Sequence, residues 1–330
     1  MALILSEQDV ADCLGQLSME ETVALIEEVF RAHGQGRVAM PPKVHLDLEP
    51  LGIHGWMNAM PAYLAPEPAM GLKWIGGFAG NPSRGLPYLV GLIILAEADT
   101  GRPIAVLEGA QITSRRTGAA AGVAAKYLAR RGRLTVALVG AGVQGAAALR
   151  GLRCVLDIAE LRVADKERSR REALAASFAA SAAAPTRGVE TIHEAVEGAD
   201  VIVTATTADA PLVLESWVRP GALVITLGSH PEVEPALMTA VDKLLVDNWA
   251  QAEHRGGLSR LVERGILTPA SLWAELGDVV AGQVPGRQSQ DERILCAQIG
   301  MGTEDLAVAW RIYHLARAAG IGVEAPIYAR

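Results

Sequence analysis

The segment Leu134-Thr-Val-Ala-Leu-Val-Gly-Ala-Gly-Val-Gln-Gly145 constrains this chain more than any other. An apolar, partly β-branched run enters a Gly-x-Gly-x-x-Gly turn, and small residues at helical spacing follow from Ala146. The three glycines have separate tasks where a strand turns into a helix. Gly140 permits the tight turn, Gly142 lets the backbone approach a pyrophosphate, and Gly145 lets the helix lie close to the strand. Val143 and Gln144 then offer helix N-terminal N–H groups to the phosphates. A second strand over 160–165 ends at Asp165, 20 residues after Gly145, where a carboxylate can accept both ribose hydroxyls. Strand, turn, helix and acid together predict a dinucleotide-binding unit. Asp165 favours NAD, because a carboxylate repels a 2′-phosphate. Lys166 and Arg168 beside it keep NADP open, and Lys166 is placed in the same cofactor site.

The rest of the chain fits around that unit. Strands are expected near 134–139, 160–165, 200–206, 222–227, 243–247 and 293–298, with helices between them. Such alternation predicts a Rossmann-type, doubly wound parallel sheet in an α/β protein. Residues 37–100 carry many prolines and glycines among short apolar runs, the pattern of a turn-rich β region. Helices are expected over 18–35, over 113–130 with Thr113 or Ser114 as cap, over the alanine-rich 173–184, and from about Thr303 to Ala319. A short N-terminal strand should precede a helix capped by Ser6. The division expected is a β-rich substrate and dimerisation domain (1–112 with about 303–330) and a nucleotide domain (113–302, with 113–130 as linking helix).

Composition excludes several functions. The net charge is −7 with no basic block, so neither nucleic acid nor an anionic membrane is an expected partner. Cys13, Cys154 and Cys296 are scattered, without CxxC or Cys/His spacing, so no disulfide framework and no metal site are expected. The longest apolar run, Leu89 to Ala96, is too short to span a bilayer. No signal peptide is visible, and a cytoplasmic enzyme is expected.

Several charged residues sit where packing alone would not place them. Lys73 lies in the apolar stretch Gly71-Leu-Lys-Trp-Ile, where an unpaired buried cation is costly. A cleft lysine that meets a carboxylate or moves a proton explains it, as does an apolar stem with its ammonium in solvent. Arg115 and Arg116 near the start of a helix oppose its dipole unless an anion is also there, and Arg116 can grip a carboxylate bidentately. For Arg115 a solvated surface charge is the equal alternative. His230, in Leu227-Gly-Ser-His-Pro-Glu232, follows a strand at the sheet's C-terminal edge, where ligands bind. A neutral imidazole there can take a proton near pH 7. A capping role for His230 stays open, as do Glu232 or Glu234 as substitutes. His45 and His54 are each read as structural. Asp247 is read as a strand-end residue that accepts backbone N–H groups. The tryptophans are read as packing, Trp74 beside Lys73 excepted.

The segments Gly71–Phe78, Asn81–Pro87, Ile112–Ala119, Gly140–Gly145, Val246–His254, Glu275–Gly282 and Gly300-Met-Gly-Thr-Glu-Asp305 together resemble the ornithine cyclodeaminase/μ-crystallin family. The resemblance spans nearly the whole chain in the family's order. It implies homodimers whose β-rich domain forms the interface. It also implies that Lys73 is the active-site lysine and Arg116 the carboxylate-binding arginine. Arg116 would also contact the cofactor and Thr117 the cofactor's phosphates or the substrate, with Thr206, Gly228, Ser229, Met301 and Asp305 also lining the cofactor site. Lys43 stands where many members carry a substrate-binding arginine; it keeps the charge but loses the fork. His230 stands where cyclodeaminases carry an Asp that handles the substrate amine. The expected activity is therefore that of an NAD(P)-dependent amino-acid dehydrogenase or imine reductase acting on a small amino or imino acid. Ornithine cyclodeamination, in which NAD is recycled, is the alternative, and a nucleotide-dependent small-ligand binder is a third.

Overall fold

The structure, a computed structural model, describes residues 1–181 and 184–327. It divides into two compact units, Met1–Arg116 with Met301–Arg330, and Thr117–Gly300. Arg116 and Met301 therefore belong with the first unit.

The first unit is built on a mostly antiparallel sheet. Its strands are β1 (Ala2–Leu5), β2 (Val38–Ala39), β3 (Val44–Asp47), β4 (Gly55–Leu64), β5 (Ala69–Phe78), β6 (Leu89–Ala96), β7 (Pro103–Glu108) and the late strand β16 (Val323–Ala325). Their order is β16-β1-β7-β6-β5-β4-β2, with β3 also paired to β4. Among the described residues of this sheet only the β1–β7 pair is parallel. Two helices follow β1: α1 (Glu7–Gly15) and α2 (Met19–Gly34). Each starts on a reciprocal capping box, Ser6 with Asp9 and Ser18 with Glu21, which satisfies the N–H groups a helix start leaves open. Side chains alternate across a strand, so Asn58, Met60, Ala62 and Leu64 of β4 share one buried face. The last helix, α11 (Gly302–Ala319), packs on β4, β5, β6, α1 and α2. It is apolar around most of its circumference, with Leu306, Val308, Ile312 and Tyr313 all buried. Gly302 begins it because a side chain there would press on the Met60 carbonyl.

The linking helix, α3 (Ala110–Leu128), starts earlier than the sequence suggested. Its N-terminal cap is not Thr113 or Ser114. The Glu108 carboxylate instead accepts the N–H groups of Ala110 and Gln111. Thr113 and Ser114 lie inside the first turn and donate their hydroxyls to the Gly109 and Ala110 carbonyls.

The second unit is a wholly parallel sheet. Its strands are β8 (Arg133–Val139), β9 (Asp157–Ala164), β10 (Thr186–Val189), β11 (Val201–Thr204), β12 (Leu223–Leu227), β13 (Lys243–Val246), β14 (Ala274–Glu275) and β15 (Ile294–Gln298). They stand in the order β10-β9-β8-β11-β12-β15-β13-β14. The helices between them are α4 (Val143–Arg153), α5 (Arg168–Ser181), α6 (Ile192–Val196), α7 (Pro235–Ala240), α8 (Trp249–Ala252), α9 (Ser259–Glu263) and α10 (Leu276–Val280). Of the alanine-rich helix expected over 173–184, residues 182 and 183 lie outside the described residues. Strands β11, β12, β13 and β15 are buried along their whole length, as both faces of a covered parallel sheet must be. The chain progresses outward one way through β9 and β10 and the other way through β11 and β12. The order therefore reverses between β8 and β11, which is where such sheets open a crevice for a ligand. This is the doubly wound Rossmann architecture.

Helices α3 and α4 meet at Gly151, where an added Cβ would run into the Gly118 carbonyl oxygen. We expect Gly151→Ala to lower stability by about 1–3 kcal/mol through overpacking. Urea unfolding should show a lower midpoint at unchanged slope; an unchanged midpoint would refute this close backbone approach.

Candidate functional site

Each unit contributes a distinct group of residues. In the first unit, β5 and β4 face each other with Lys73 opposite Met60. Lys73 is 1 % exposed. Its ammonium lies 2.5 Å from Asp305 Oδ2 and donates to Thr113 Oγ1 at 3.3 Å. Arg116 Nε donates to Asp305 Oδ1 at 2.9 Å, and a terminal nitrogen donates to Glu304 Oε2 at 2.8 Å. All four charged groups are buried. The helix start of α11 thus carries two carboxylates that converge on two cations, one from β5 and one from α3.

This cluster sets unusual proton affinities. Burial pulls the Lys73 ammonium down from 10.5 to about 7. Asp305 opposes that shift, while the nearby positive charges of Arg116 and Lys43 reinforce it. Burial alone would also lower Arg116, but Asp305 and Glu304 outweigh it and hold the guanidinium firmly charged. Lys73 is therefore the one cation of the pair that can give up a proton near neutrality. Lys43, half-buried just before β3, adds positive charge at the same place.

Three sequence expectations change here. The anions that justify Arg116 are carboxylates of this chain, and α3 begins at Ala110, so the helix-start argument does not apply to it. Arg115 is not a solvated surface charge. It is half-buried and donates to the Leu14 and Leu17 carbonyls, which satisfies backbone at the end of α1. Trp74 does not share a surface with Lys73. The strand period of two turns it to the opposite face, where it is 45 % exposed beside Leu92. Val44 and Leu46 are exposed on this same outer face. Glu304, the second partner of Arg116, was not singled out from sequence. Its only signal was its place beside Asp305.

In the second unit the fingerprint residues assemble as the motif requires. Gly140 has φ 104°, and a side chain on it would strike the Ala205 carbonyl and the Thr206 methyl. Gly145 closes against the Gly140 carbonyl. Gly142 is the N-cap of α4, accepts no side-chain cap, and its missing Cβ would point into open space. That opening, at the N-terminal end of an 11-residue helix, is the shape and polarity that a pyrophosphate needs. Val143, at the first helical position, is 68 % exposed beside it. Asp165 follows β9 directly and folds back on the turn. One carboxylate oxygen accepts Ala141 N–H at 2.7 Å, and the other accepts Glu167 N–H at 2.8 Å. Lys166 is exposed next to it. These residues fit a dinucleotide.

The remaining expected residues fall at strand ends or helix starts. Thr206 follows β11. Gly228, Ser229 and His230 follow β12, and His230 Nδ1 lies 3.3 Å from Asp209 Oδ1. Glu232 and Glu234 are committed elsewhere. Glu232 is buried and accepts Thr204 Oγ1 at 2.9 Å and Thr206 N–H at 2.5 Å, while Glu234 accepts Glu215 N–H. Burial raises the Glu232 carboxyl to about 7. Asp247 accepts the N–H groups of Ile299 and Gly300 at 2.8 and 2.6 Å, the structural role expected of it. Met301 is buried as the N-cap of α11, and Thr117 stands half-buried in α3. His45 and Asn58 pair at 2.8 Å across β3 and β4, and His54 meets Glu49 on the surface. Among the described residues no group of His, Cys, Asp and Glu could hold a metal ion, and no helix is long and apolar enough to cross a membrane. Cys13 and Cys296 are buried, Cys154 is half-buried and donates its thiol to the Arg150 carbonyl, and none of the three forms a disulfide among the described residues.

We expect Asp165→Ala to weaken NADH binding and to relax discrimination against NADPH, as read by fluorescence titration with both nucleotides. An unchanged preference would remove Asp165 from ribose recognition.

Comparison with known proteins follows this geometry. The model of the ornithine cyclodeaminase/mu-crystallin family matches residues 4–320. Alanine dehydrogenase of Archaeoglobus fulgidus is 35 % identical, over 97 % of both chains. The structure of Thermococcus litoralis Δ1-pyrroline-2-carboxylate reductase, in complex with NADH and L-proline, superposes with a TM-score of 0.92 at 30 % identity, covering 98 % of this chain and 100 % of that one. An archaeal alanine dehydrogenase dimer with bound NAD superposes with a TM-score of 0.90 at 34 % identity, over 99 % of each chain.

Proposed function

The chain belongs to the ornithine cyclodeaminase/mu-crystallin family, and within it we propose an NAD-dependent oxidoreductase that reduces the C=N bond of a small α-imino acid or, in reverse, oxidises an α-amino acid. The observation that carries this reading is the buried pairing of Lys73 with Asp305 beside Arg116, which gives a lysine that titrates near pH 7 in a carboxylate-binding environment. The comparisons support it through relatives that are dehydrogenases or imine reductases and through neighbours crystallised with NAD or NADH.

Gly140, Gly142, Val143, Gln144, Gly145 and Asp165 would hold the dinucleotide, with Thr206, Gly228 and Ser229 at the adjoining strand ends. When bound, its nicotinamide supplies or accepts a hydride at the substrate α-carbon. The chain's own residues do the rest. Lys43 and Arg116 would hold the substrate carboxylate. Lys73 would give a proton to the imine nitrogen during reduction and remove one from the amine during oxidation. His230, with Asp209 on Nδ1, is a second group able to exchange a proton. The exposed apolar face of Trp74, Leu92, Val44 and Leu46 supports a homodimer through the first unit's sheet.

Two outcomes test the reading. Purified protein given NAD and a panel of L-amino acids, or NADH with ammonia and 2-oxo acids or with cyclic imino acids, should show net change in NADH absorbance. Proline and ammonia from ornithine without net NADH would assign the cyclodeaminase instead. Lys73→Ala should abolish turnover yet leave NADH binding nearly intact; a variant with most of its activity would exclude Lys73 from the mechanism.

The pH dependence has a definite sign. Reduction needs Lys73 protonated, so its rate should fall as pH rises through about 7. Oxidation needs it neutral, so that rate should rise over the same interval. Profiles of kcat/KM measured in both directions check this, and parallel profiles would count against Lys73 as the acid–base group.

A further inference from the structure

We propose that Glu232 is a positioning residue: its carboxylate holds the segment that carries Thr206 in the shape that receives the dinucleotide, and fixes that segment to the turn that carries His230.

Glu232 is 1 % exposed and has no cationic partner among the described residues. Burying a carboxyl without a cation is costly, and a fold that needed only volume there would place an apolar side chain. What the carboxylate provides is two acceptors at fixed separation. Oε2 takes the Thr204 hydroxyl at the end of β11, and Oε1 takes the Thr206 N–H two residues further on. The Glu232 main chain joins the same two segments. Its carbonyl accepts the N–H groups of Leu212 and Val213, and its N–H donates to the His230 carbonyl. Val213 and Val233 then pair as an isolated parallel bridge. Both segments leave the C-terminal ends of neighbouring strands, next to the point where strand order reverses. Ala205 and Thr206 also pack directly on Gly140, the first glycine of the cradle. A single side chain therefore links the exits of β11 and β12 beside the first glycine of the cradle.

This inference rests on the nucleotide reading of the second unit, and its test separates the two. Parent, Glu232→Ala, Glu232→Gln, Glu232→Asp and Thr204→Val are compared by three measurements: thermal unfolding, amide hydrogen exchange of the peptide covering 205–212 without nucleotide, and NADH fluorescence titration. Glutamine keeps an acceptor for Thr206 N–H, so E232Q should retain parent-like protection and bind NADH within about threefold of the parent. E232A should lose protection over 205–212 and bind NADH about tenfold more weakly. E232D, one methylene short of its partners, should behave like E232A; it also decides the matter if E232A does not fold. T204V should bind NADH nearly as the parent does, because the Thr206 link survives. Parent-like exchange and affinity in both E232A and E232D would overturn the proposal. So would an E232Q variant as impaired as E232A, since the charge rather than the acceptor geometry would then matter. A parent that fails to bind NADH would refute the nucleotide reading, while the exchange measurement would still report on the clamp.

Discussion

The interaction on which the first unit depends is the buried meeting of Lys73, Arg116, Glu304 and Asp305. Two cations and two anions removed from water are each costly, and their mutual attraction returns that cost only with close geometry. Apolar residues of similar volume would often stabilise a fold as well, so stability is a poor reason for such a cluster. Chemistry is a better one. Asp305 is shared between the lysine of β5 and the arginine of α3, Arg116 has Glu304 as well, and burial outweighs what Asp305 gives Lys73. Lys73 is left with a weakly held proton, and Arg116 is left unable to lose its own. The fold serves this arrangement locally. Gly302 lets the start of α11 come close to β4, and Glu304 and Asp305 follow in the first turn.

The second unit solves a different problem, the binding of a polyanion by a protein of net charge −7. The glycine turn itself, residues 140–145, carries no cation, and Lys166 stands exposed next to Asp165. The turn uses backbone N–H groups at the start of α4, freed by the absence of a side chain at Gly142. Such a site depends on backbone shape, and the shape is held by close contacts: Gly145 on Gly140, Gly140 on Ala205 and Thr206, and Thr206 on Glu232. Asp165 contributes to the same end through its bond to Ala141 N–H. The carboxylate proposed to recognise ribose is thus itself hydrogen-bonded to the glycine turn.

What could be read from sequence was whatever is local. The glycine spacing and the strand that precedes it lie within a dozen residues, so the nucleotide unit was legible, as was the β-rich character of residues 37–100. The ion cluster was not legible, because Arg116 and Asp305 are brought together across 189 residues and a sequence window shows only isolated charges. The two carboxylates of the chain that pair with Arg116 were therefore not foreseen. The start of α3 was misplaced because a hydroxyl residue is the commoner cap, whereas here a glutamate two residues ahead of the helix reaches its N–H groups. Trp74 was linked to Lys73 by adjacency alone, although neighbours in a strand face opposite ways. Glu232 was seen as a possible proton carrier, and only its burial against Thr204 and Thr206 reveals its other use.

The choice among reactions turns on His230, in the turn that follows β12. An amine leaving as ammonia passes through a charged state for which a fixed carboxylate is a suitable counter-ion. His230 provides no permanent negative charge, and the carboxylate beside it, Asp209, is almost fully exposed, where a surface ion pair contributes only about 0–1 kcal/mol. An imidazole is better matched to moving one proton on or off nitrogen as the C=N bond is reduced or formed. Lys73, titrating near pH 7 beside the positive charges of Arg116 and Lys43, is consistent with the proposed proton transfer to or from a substrate nitrogen. At the position where the family resemblance places an Asp in cyclodeaminases, this chain carries His230. That difference, rather than the overall fold that both reactions share, supports reading the chain as a dehydrogenase or imine reductase.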